Sequence, residues 1–354
     1  GTHELCFNSI LLSDHYTGGN IIPYKSTKSI LYRAFCYKID RDSVVSSTVH
    51  NITDKCTIIK SISDSLIVGL PTITSDYRIM VMAGFKYFYP DIFSPNLLNF
   101  QRQILKQYND CQIGGACKDE WGFPPYFPRF FHTGYIDYWY STSFDKFYQQ
   151  LTGRSLLDDL FLMGRAQTGM ERQRIDVINR YIQMVRERNS LIEKDFYNAV
   201  KEYYGPRSFV ATHPTWWPFP DKIEVRKNGL DWWDVQRDIA QTDEVTPFAV
   251  RTALCKKWNS PVWYNQYYKN DLQMQIWSSA LAGGRIDYLD YTNLTTTPII
   301  EAEKKIHLLN FVTKAPLNCK VAVIFGYKDA TNWTSSTYDD VGMQIINALW
   351  QTGY

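Results

Sequence analysis

The chain has 354 residues, 45% of them hydrophobic and 21% charged, with a formal net charge of +2. This is ample for a packed core in one large domain or two ordinary ones, and it excludes a disordered chain. The near-neutral balance, with no stripe of Lys and Arg, excludes the electrostatic footprint of a nucleic-acid binder. No apolar run approaches the roughly 18–20 residues of a membrane-spanning helix. Aromatic content is the unusual figure, at 16% with 11 Trp and 25 Tyr. Aromatic side chains fill cores first, but they also stack on sugar faces, so the excess leans toward carbohydrate.

Residues 5–12 read as a buried strand, with Asp14 and His15 at its C-terminal end. Residues 20–75 hold strand-like runs at 30–39 and 56–70 between Ser- and Thr-rich segments, and read as an excursion between elements of a larger fold. Residues 77–83 are a continuous apolar run of strand length. Pro95 then opens a helical pattern carried by Leu98, Arg102 and Leu105. The stretch 111–125, CQIGGACKDEWGFPP, follows. In it a short run meets Lys118, Asp119 and Glu120, then Trp121, Gly122 and a Phe-Pro-Pro break. A strand ending in a carboxylate beside an aromatic, then turning sharply, is how α/β barrels expose a catalytic acid. The plainer alternative is a strand end with a solvated charge cluster.

A short helix is expected at 144–153 and a long amphipathic one at 170–204. In the long helix Ile175, Ile178, Ile182, Val185, Ile192, Phe196, Ala199 and Tyr203 recur at three-four spacing, until Gly205-Pro206 stops it. Strands are expected at 208–212, 238–242, 261–264 and 283–288, with helical segments at 232–235, 248–258 and 271–282 between them. Each strand leads into polar or aromatic residues: His213, Trp216 and Trp217; Asp243 and Glu244; Asn265, Gln266 and two tyrosines; Asp287. Strand–helix alternation with such strand ends favours a (β/α)8 TIM-type barrel over a doubly wound sheet. After a helix at 301–311, residues 320–325 read as a buried parallel-type strand, and 338–350 as a helix. They are expected to begin a second, flavodoxin-like α/β domain. The expected domains are therefore 1–312 and 313–354.

Seven cysteines are scattered along the chain, and no CxxC or Cys/His spacing reads as a zinc site. No metal or cofactor is implied. Cys36–Cys56 and Cys111–Cys117 are candidate bridges. Sequons at Asn51, Asn293 and Asn332 permit a secretory setting, and the start at Gly1 is expected of a mature or trimmed chain. A secreted or extracellular protein is the favoured expectation.

The pattern resembles retaining glycoside hydrolases of the family 42 beta-galactosidase type. Lys118-Asp119-Glu120-Trp121-Gly122 looks like a variant of their Asn-Glu-Tyr-Gly acid/base motif. Residues 144–162 look like the segment after that strand, Thr212-His213-Pro214-Thr215 falls at their fifth strand end, and KVAVIFGYKDATNW resembles the opening of their trimerisation domain. The resemblance implies a barrel followed by a trimerisation domain, a homo-oligomer, a carbohydrate substrate and Glu120 as acid/base. It departs in two places. Asp119 replaces the motif Asn, and Asn265 stands where the glutamate nucleophile is expected. An amide cannot form a glycosyl ester.

Three readings follow. Asp243 or Glu244 supplies the second carboxylate, with Glu120 as the acid beside Trp121. Or the nucleophile is lost, and the chain binds sugar or serves as a structural subunit. Or the strand matched to the nucleophile is the wrong one. His213, Trp216, Trp217, Tyr264, Asn265, Arg285, Asp119 and Trp121 are the candidate substrate contacts. Core packing is as good a reading for each Trp, and an ion pair with Asp287 for Arg285.

Overall fold

The computed structural model describes residues 3–8, 12–13, 20–21, 27–86, 91–121, 138–214, 239–242, 262–267, 284–287, 300–301, 304–305, 308–309, 320–323 and 341–352. The chain divides into two compact units, one of residues 1–97 and 126–183 and one of 98–125 and 184–354.

Among the described residues the first unit carries ten strands: β1 (His3–Asn8), β2 (Leu12–Ser13), β3 (Asn20–Ile21), β4 (Ile30–Tyr37), β5 (Ile39–Asp40), β6 (Ser43–Val44), β7 (His50–Asn51), β8 (Thr57–Ile62), β9 (Ser65–Leu70) and β10 (Arg78–Gly84). Every pairing among them is antiparallel, in small sheets ordered β1-β9-β8, β10-β4-β7, β2-β3 and β5-β6. Strand β4 is apolar on both faces, and both are covered. Phe35 and Tyr37 pack with Val44 and Phe161, while Ala34 and Cys36 pack with Ile52. Its partner β10 divides the same way, Met80 and Met82 joining the first cluster and Ile79 and Val81 the second. The period-2 alternation of a strand produces this split.

Helices among the described residues include α1 (Leu97–Lys106), α2 (Thr142–Thr152), α3 (Leu156–Gly164), α4 (Glu171–Tyr204) and α5 (Val341–Gln351). Local chemistry sets the ends of α2 and α3. The Ser141 hydroxyl accepts from the Phe144 N–H at 3.0 Å, and Gly153 closes α2 at φ 68°. Ser155 caps α3 by accepting from the Asp158 N–H, and Asp145 on α2 accepts from the Leu156 N–H at 3.1 Å. Phe93, Trp139 and Phe144 stack beside Tyr181, which is fully buried.

Among the described residues of this unit, Asp159 of α3 is the charged group most deeply placed, at 1% exposure. The buried Tyr148 hydroxyl donates to its Oδ2 at 2.5 Å, and Arg154 Nε donates to both carboxylate oxygens at 3.0 and 2.9 Å. Arg154 Nη2 also donates to Oδ1, so its oxygens are met by four donor contacts that replace water.

The second unit contains α1, the later turns of α4, and β11 (Gly115–Trp121), β12 (Phe209–Pro214), β13 (Ile239–Thr242), β14 (Val262–Tyr267) and β15 (Gly284–Asp287). These five strands form one all-parallel sheet in sequence order. Its core joins Leu105 of α1, Phe196, Ala199 and Val200 of α4, and Val210 of β12. At its margin Arg102 bonds Asp195 at 2.7 Å and Glu202 at 2.9 Å, and the Tyr204 hydroxyl donates to the Leu105 carbonyl at 2.8 Å.

The expected (β/α)8 barrel is not formed. Among the described residues no sheet closes: β11 and β15 are the two edges of the parallel sheet, and the other sheets are small and antiparallel. The strands read as early barrel elements are taken by the segment read as an excursion. Strand β1 pairs with β9, and β10 pairs with β4. The apolar run at 77–83 reports burial on two faces, which an antiparallel strand between two clusters meets as well as a parallel one. The expected flavodoxin-like start also fails where it is described: Lys320–Val323 lie in no strand, although α5 follows. Asp14, His15, the helical segments 232–235, 248–258 and 271–282, and residues 324–340 lie outside the described residues.

Two outcomes follow for stability. Arg154→Ala leaves the Asp159 carboxylate buried and short of its cation, and is expected to cost about 3–5 kcal/mol in urea unfolding. Asp159→Ala leaves behind an Arg154 side chain that is 43% exposed and can turn to water, so about 1–3 kcal/mol is expected. The order of the two is the test; equal losses would deny the asymmetry. Burial raises the Tyr148 and Tyr181 phenols above their ordinary 10.0, with the Asp159 bond adding to the rise at Tyr148. Their contribution is whole below pH 10.0 and declines as pH climbs above it toward the raised folded values. Alkaline unfolding followed by phenolate absorbance is expected to show these tyrosines ionising together with unfolding, and phenylalanine at either position to remove that part of the transition.

Candidate functional site

In parallel sheets, ligands collect outside the carboxyl ends of the strands, where loops leave the sheet and polar side chains escape the core. The parallel sheet of the second unit has one such edge. The register is Lys118↔Thr212 between β11 and β12, Thr212↔Ala240 between β12 and β13, Thr242↔Tyr264 between β13 and β14, and Tyr267↔Asp287 between β14 and β15. The sequence order of the strands therefore becomes the spatial order of their ends.

Two of the junctions are irregular, and both coincide with residues singled out from the sequence. Between the pairs Lys118↔Thr212 and Trp121↔Pro214, β11 advances three residues while β12 advances two. The extra residue falls at Asp119–Glu120. Between Trp263↔Arg285 and Tyr267↔Asp287, β14 advances four while β15 advances two, and the surplus falls across Tyr264, Asn265 and Gln266. A bulge breaks the ladder and changes the direction of the bulged strand, a device found often beside active sites.

At the other end of β11 the constraint is steric. A Cβ on Gly115 would come within 2.1 Å of the Phe209 carbonyl oxygen and 2.6 Å of its ring. Only glycine allows β12 so close, and the Phe209 N–H donates to the Gly114 carbonyl at 2.9 Å. Between these ends, Ala116 packs on the α4 core, and the Lys118 ammonium lies 4.5 Å from the Phe196 ring centroid.

The structure gathers the expected residues unevenly. Asp119, Glu120 and Trp121 are the last three of β11, and His213 lies on the adjacent β12. Tyr264 and Asn265 lie on β14, three strands from Glu120, and Arg285 on β15 is the register partner of Trp263. Asp243, Glu244, Trp216 and Trp217 lie outside the described residues, but Thr242 ends β13, two strands from β11. With strands about 4.8 Å apart, backbone steps from β11 are roughly 5 Å to β12, 10 Å to β13 and 14 Å to β14.

Reading α4 as one apolar stripe misses a second, buried row. Arg186, Asn189 and Glu193 are buried at three- and four-residue spacing, and each is engaged in further interactions. Their spacing on one helix face was the available signal, hidden because charged residues are assigned to solvent by default. Among the described residues no group of three or more His, Cys, Asp or Glu could hold a metal ion, and no helix is long and apolar enough to cross a membrane.

No protein-family model, curated protein or solved structure matches the chain.

Because Gly115 sets the approach of β11 to β12, Gly115→Ala is expected to disturb the ladder that carries Asp119 and Glu120. The measurement is amide hydrogen exchange. Faster exchange across 115–121 and 209–214, with α2 and α3 unchanged, is expected; an unaltered pattern would show that the close approach is not needed.

Proposed function

We propose that the carboxyl edge of the five-stranded parallel sheet is a glycan site and that the chain hydrolyses a glycosidic bond there. Glu120 is the general acid, and Asp243 or Glu244, following β13, is the second carboxylate. The observation carrying the reading is the coincidence of the β11 bulge with Asp119–Glu120 at the carboxyl end of a parallel strand. A strand neighbour at His213 supplies a hydrogen-bonding group one step away, and the Trp216–Trp217 pair after β12 supplies ring faces for a sugar. The two-strand step of about 10 Å between backbones suits a pair of carboxyls about 6.5–9.5 Å apart, the range for inversion through an activated water.

In this mechanism Glu120 protonates the departing glycosidic oxygen as the bond to the anomeric carbon breaks. The second carboxylate removes a proton from the attacking water. Inversion requires no covalent glycosyl-enzyme, so it does not call on Asn265 as a nucleophile. A side-chain amide in the β14 bulge can instead donate to and accept from sugar hydroxyls.

Asn265 also favours a second reading, in which the same edge binds glycan without turnover, because an amide replaces the one group that the resemblance assigns to covalent catalysis. Turnover of a panel of aryl glycosides, followed by optical rotation or proton NMR of the first-formed anomer, separates the two. Hydrolysis with inversion is expected, falling by at least about 100-fold in Glu120→Gln. Binding of a glycan with no turnover of any substrate would select the second reading, and absence of both would reject the site.

A further inference from the structure

The first unit holds a pair of thiols that the glycan reading leaves unused. Cys36 is 6% exposed on β4, and Cys56, half-buried, follows the 3-10 turn Thr53–Lys55. Both belong to one apolar cluster, Cys36 with Ala34 and Ile52 in its buried part and Cys56 packed against it with Tyr77, Ile79 and Val81. The intervening chain folds back on β4 by a fixed set of bonds. Cys36 is the register partner of His50, the Ile52 N–H donates to the Ala34 carbonyl at 2.8 Å, and the Ala34 N–H donates to Thr53 Oγ1 at 2.9 Å. The Cys56 thiol is then turned back toward the Ile52 carbonyl, with Sγ 3.4 Å from its oxygen. By contrast Cys6, Cys111 and Cys117 are exposed, and none of them belongs to this cluster.

We propose that Cys36 and Cys56 are a redox pair that closes to a disulfide by exchange with a small-molecule disulfide such as oxidised glutathione. Cys56, the more accessible, reacts first. Its thiolate attacks one sulfur of the oxidised glutathione, forming a mixed disulfide and releasing one glutathione thiolate, which takes up a proton. The Cys36 thiolate then attacks the Cys56 sulfur and expels the second glutathione thiolate, protonated in turn. Two protein thiols are oxidised and one glutathione disulfide is reduced to two thiols, so atoms and electrons balance. Burial raises the Cys56 thiol, which makes the first exchange slow at neutral pH and faster in mild alkali.

The bond would secure a segment with a further attachment. Between the two cysteines, the Val44 N–H donates to the Ala166 carbonyl at 2.9 Å, the Thr168 N–H donates to the Val44 carbonyl at 2.9 Å, and the Ser46 hydroxyl donates to the Thr168 carbonyl at 2.6 Å. Closing the loop fixes the β5–β6 hairpin side of β4 to the chain that leads into α4. Its effect on stability comes through the narrowed unfolded ensemble.

The test treats the folded full chain with oxidised glutathione in mild alkali, blocks remaining thiols in denaturant, and maps peptides without reduction by mass spectrometry. A peptide containing Cys36 joined to one containing Cys56 is expected, while Cys6, Cys111 and Cys117 carry glutathione or the blocking group. In Cys36→Ser, Cys56 is expected to accumulate as the glutathione mixed disulfide. Wild-type Cys36 recovered blocked while Cys56 carries glutathione would overturn the proposal. So would failure of both to react, or a bridge from either to another cysteine.

Discussion

The second unit depends on an atom that is absent: Gly115 has no Cβ. The Phe209 carbonyl occupies the space that Cβ would take, so β12 lies against β11 in parallel register from Gly115↔Phe209 onward. Once that register is set, Lys118 meets Thr212, and the three residues after Lys118 must span what β12 spans in two. The bulge at Asp119–Glu120 follows from a close start and a mismatched finish on one ladder. The same ladder seats Ala116 and Val210 against Phe196, Ala199 and Val200 of α4. Packing of the unit and placement of the candidate acid thus share a cause.

The first unit rests on a different balance. Helices α2 and α3 meet through polar groups, Asp145 receiving the Leu156 N–H and Asp159 receiving Tyr148 and Arg154. An apolar pair in the same place would be as stable or more so, since burying ions costs several kcal/mol each before they attract one another. What the polar pairing adds is geometry. A bidentate guanidinium and a phenol can satisfy one carboxylate in few arrangements, whereas Leu and Phe can slide.

How far the sequence could be read depended on whether the signal was local. The long helix was legible because the Ile178, Ile182, Val185, Ile192 and Phe196 spacing states both its type and its buried face, and Gly205 at φ 97° ends it as expected. Helix α3 was read only as part of a family segment, though Ser155 with Asp158 and Asp159 in the first turn is a start signal. Pairing direction in the first unit was not legible. The run Ile79, Val81 and Met80, Met82 says that both strand faces are covered, and gives no sign whether the neighbour runs parallel or antiparallel. The first unit's strands were therefore found in nearly the right places and assembled wrongly, the 20–75 segment being set aside when it supplies the partner strands β4 and β9. At the candidate site, Glu120 and His213 could be named from composition at strand ends. Their adjacency required the order of the sheet.

Asn265 takes a different meaning once the sheet order is known. In a retaining enzyme its amide is a defect, because the nucleophile must reach the anomeric carbon and form an ester. In the parallel sheet it lies three strands from Glu120, with the end of β13 between them at two. An acid on β11 and a base after β13 can lie either side of a sugar without requiring β14 to react. On the proposed inverting reading, the irregular ladder across Tyr264–Gln266 belongs to residues that contact the sugar rather than react with it. On that reading a carboxylate at this position would place a third anion near the pair and raise the pKa of the base that must stay ionised as well as that of the acid. On the proposed reading, a neutral residue on β14 is therefore the one that an acid on β11 and a base following β13 tolerate best.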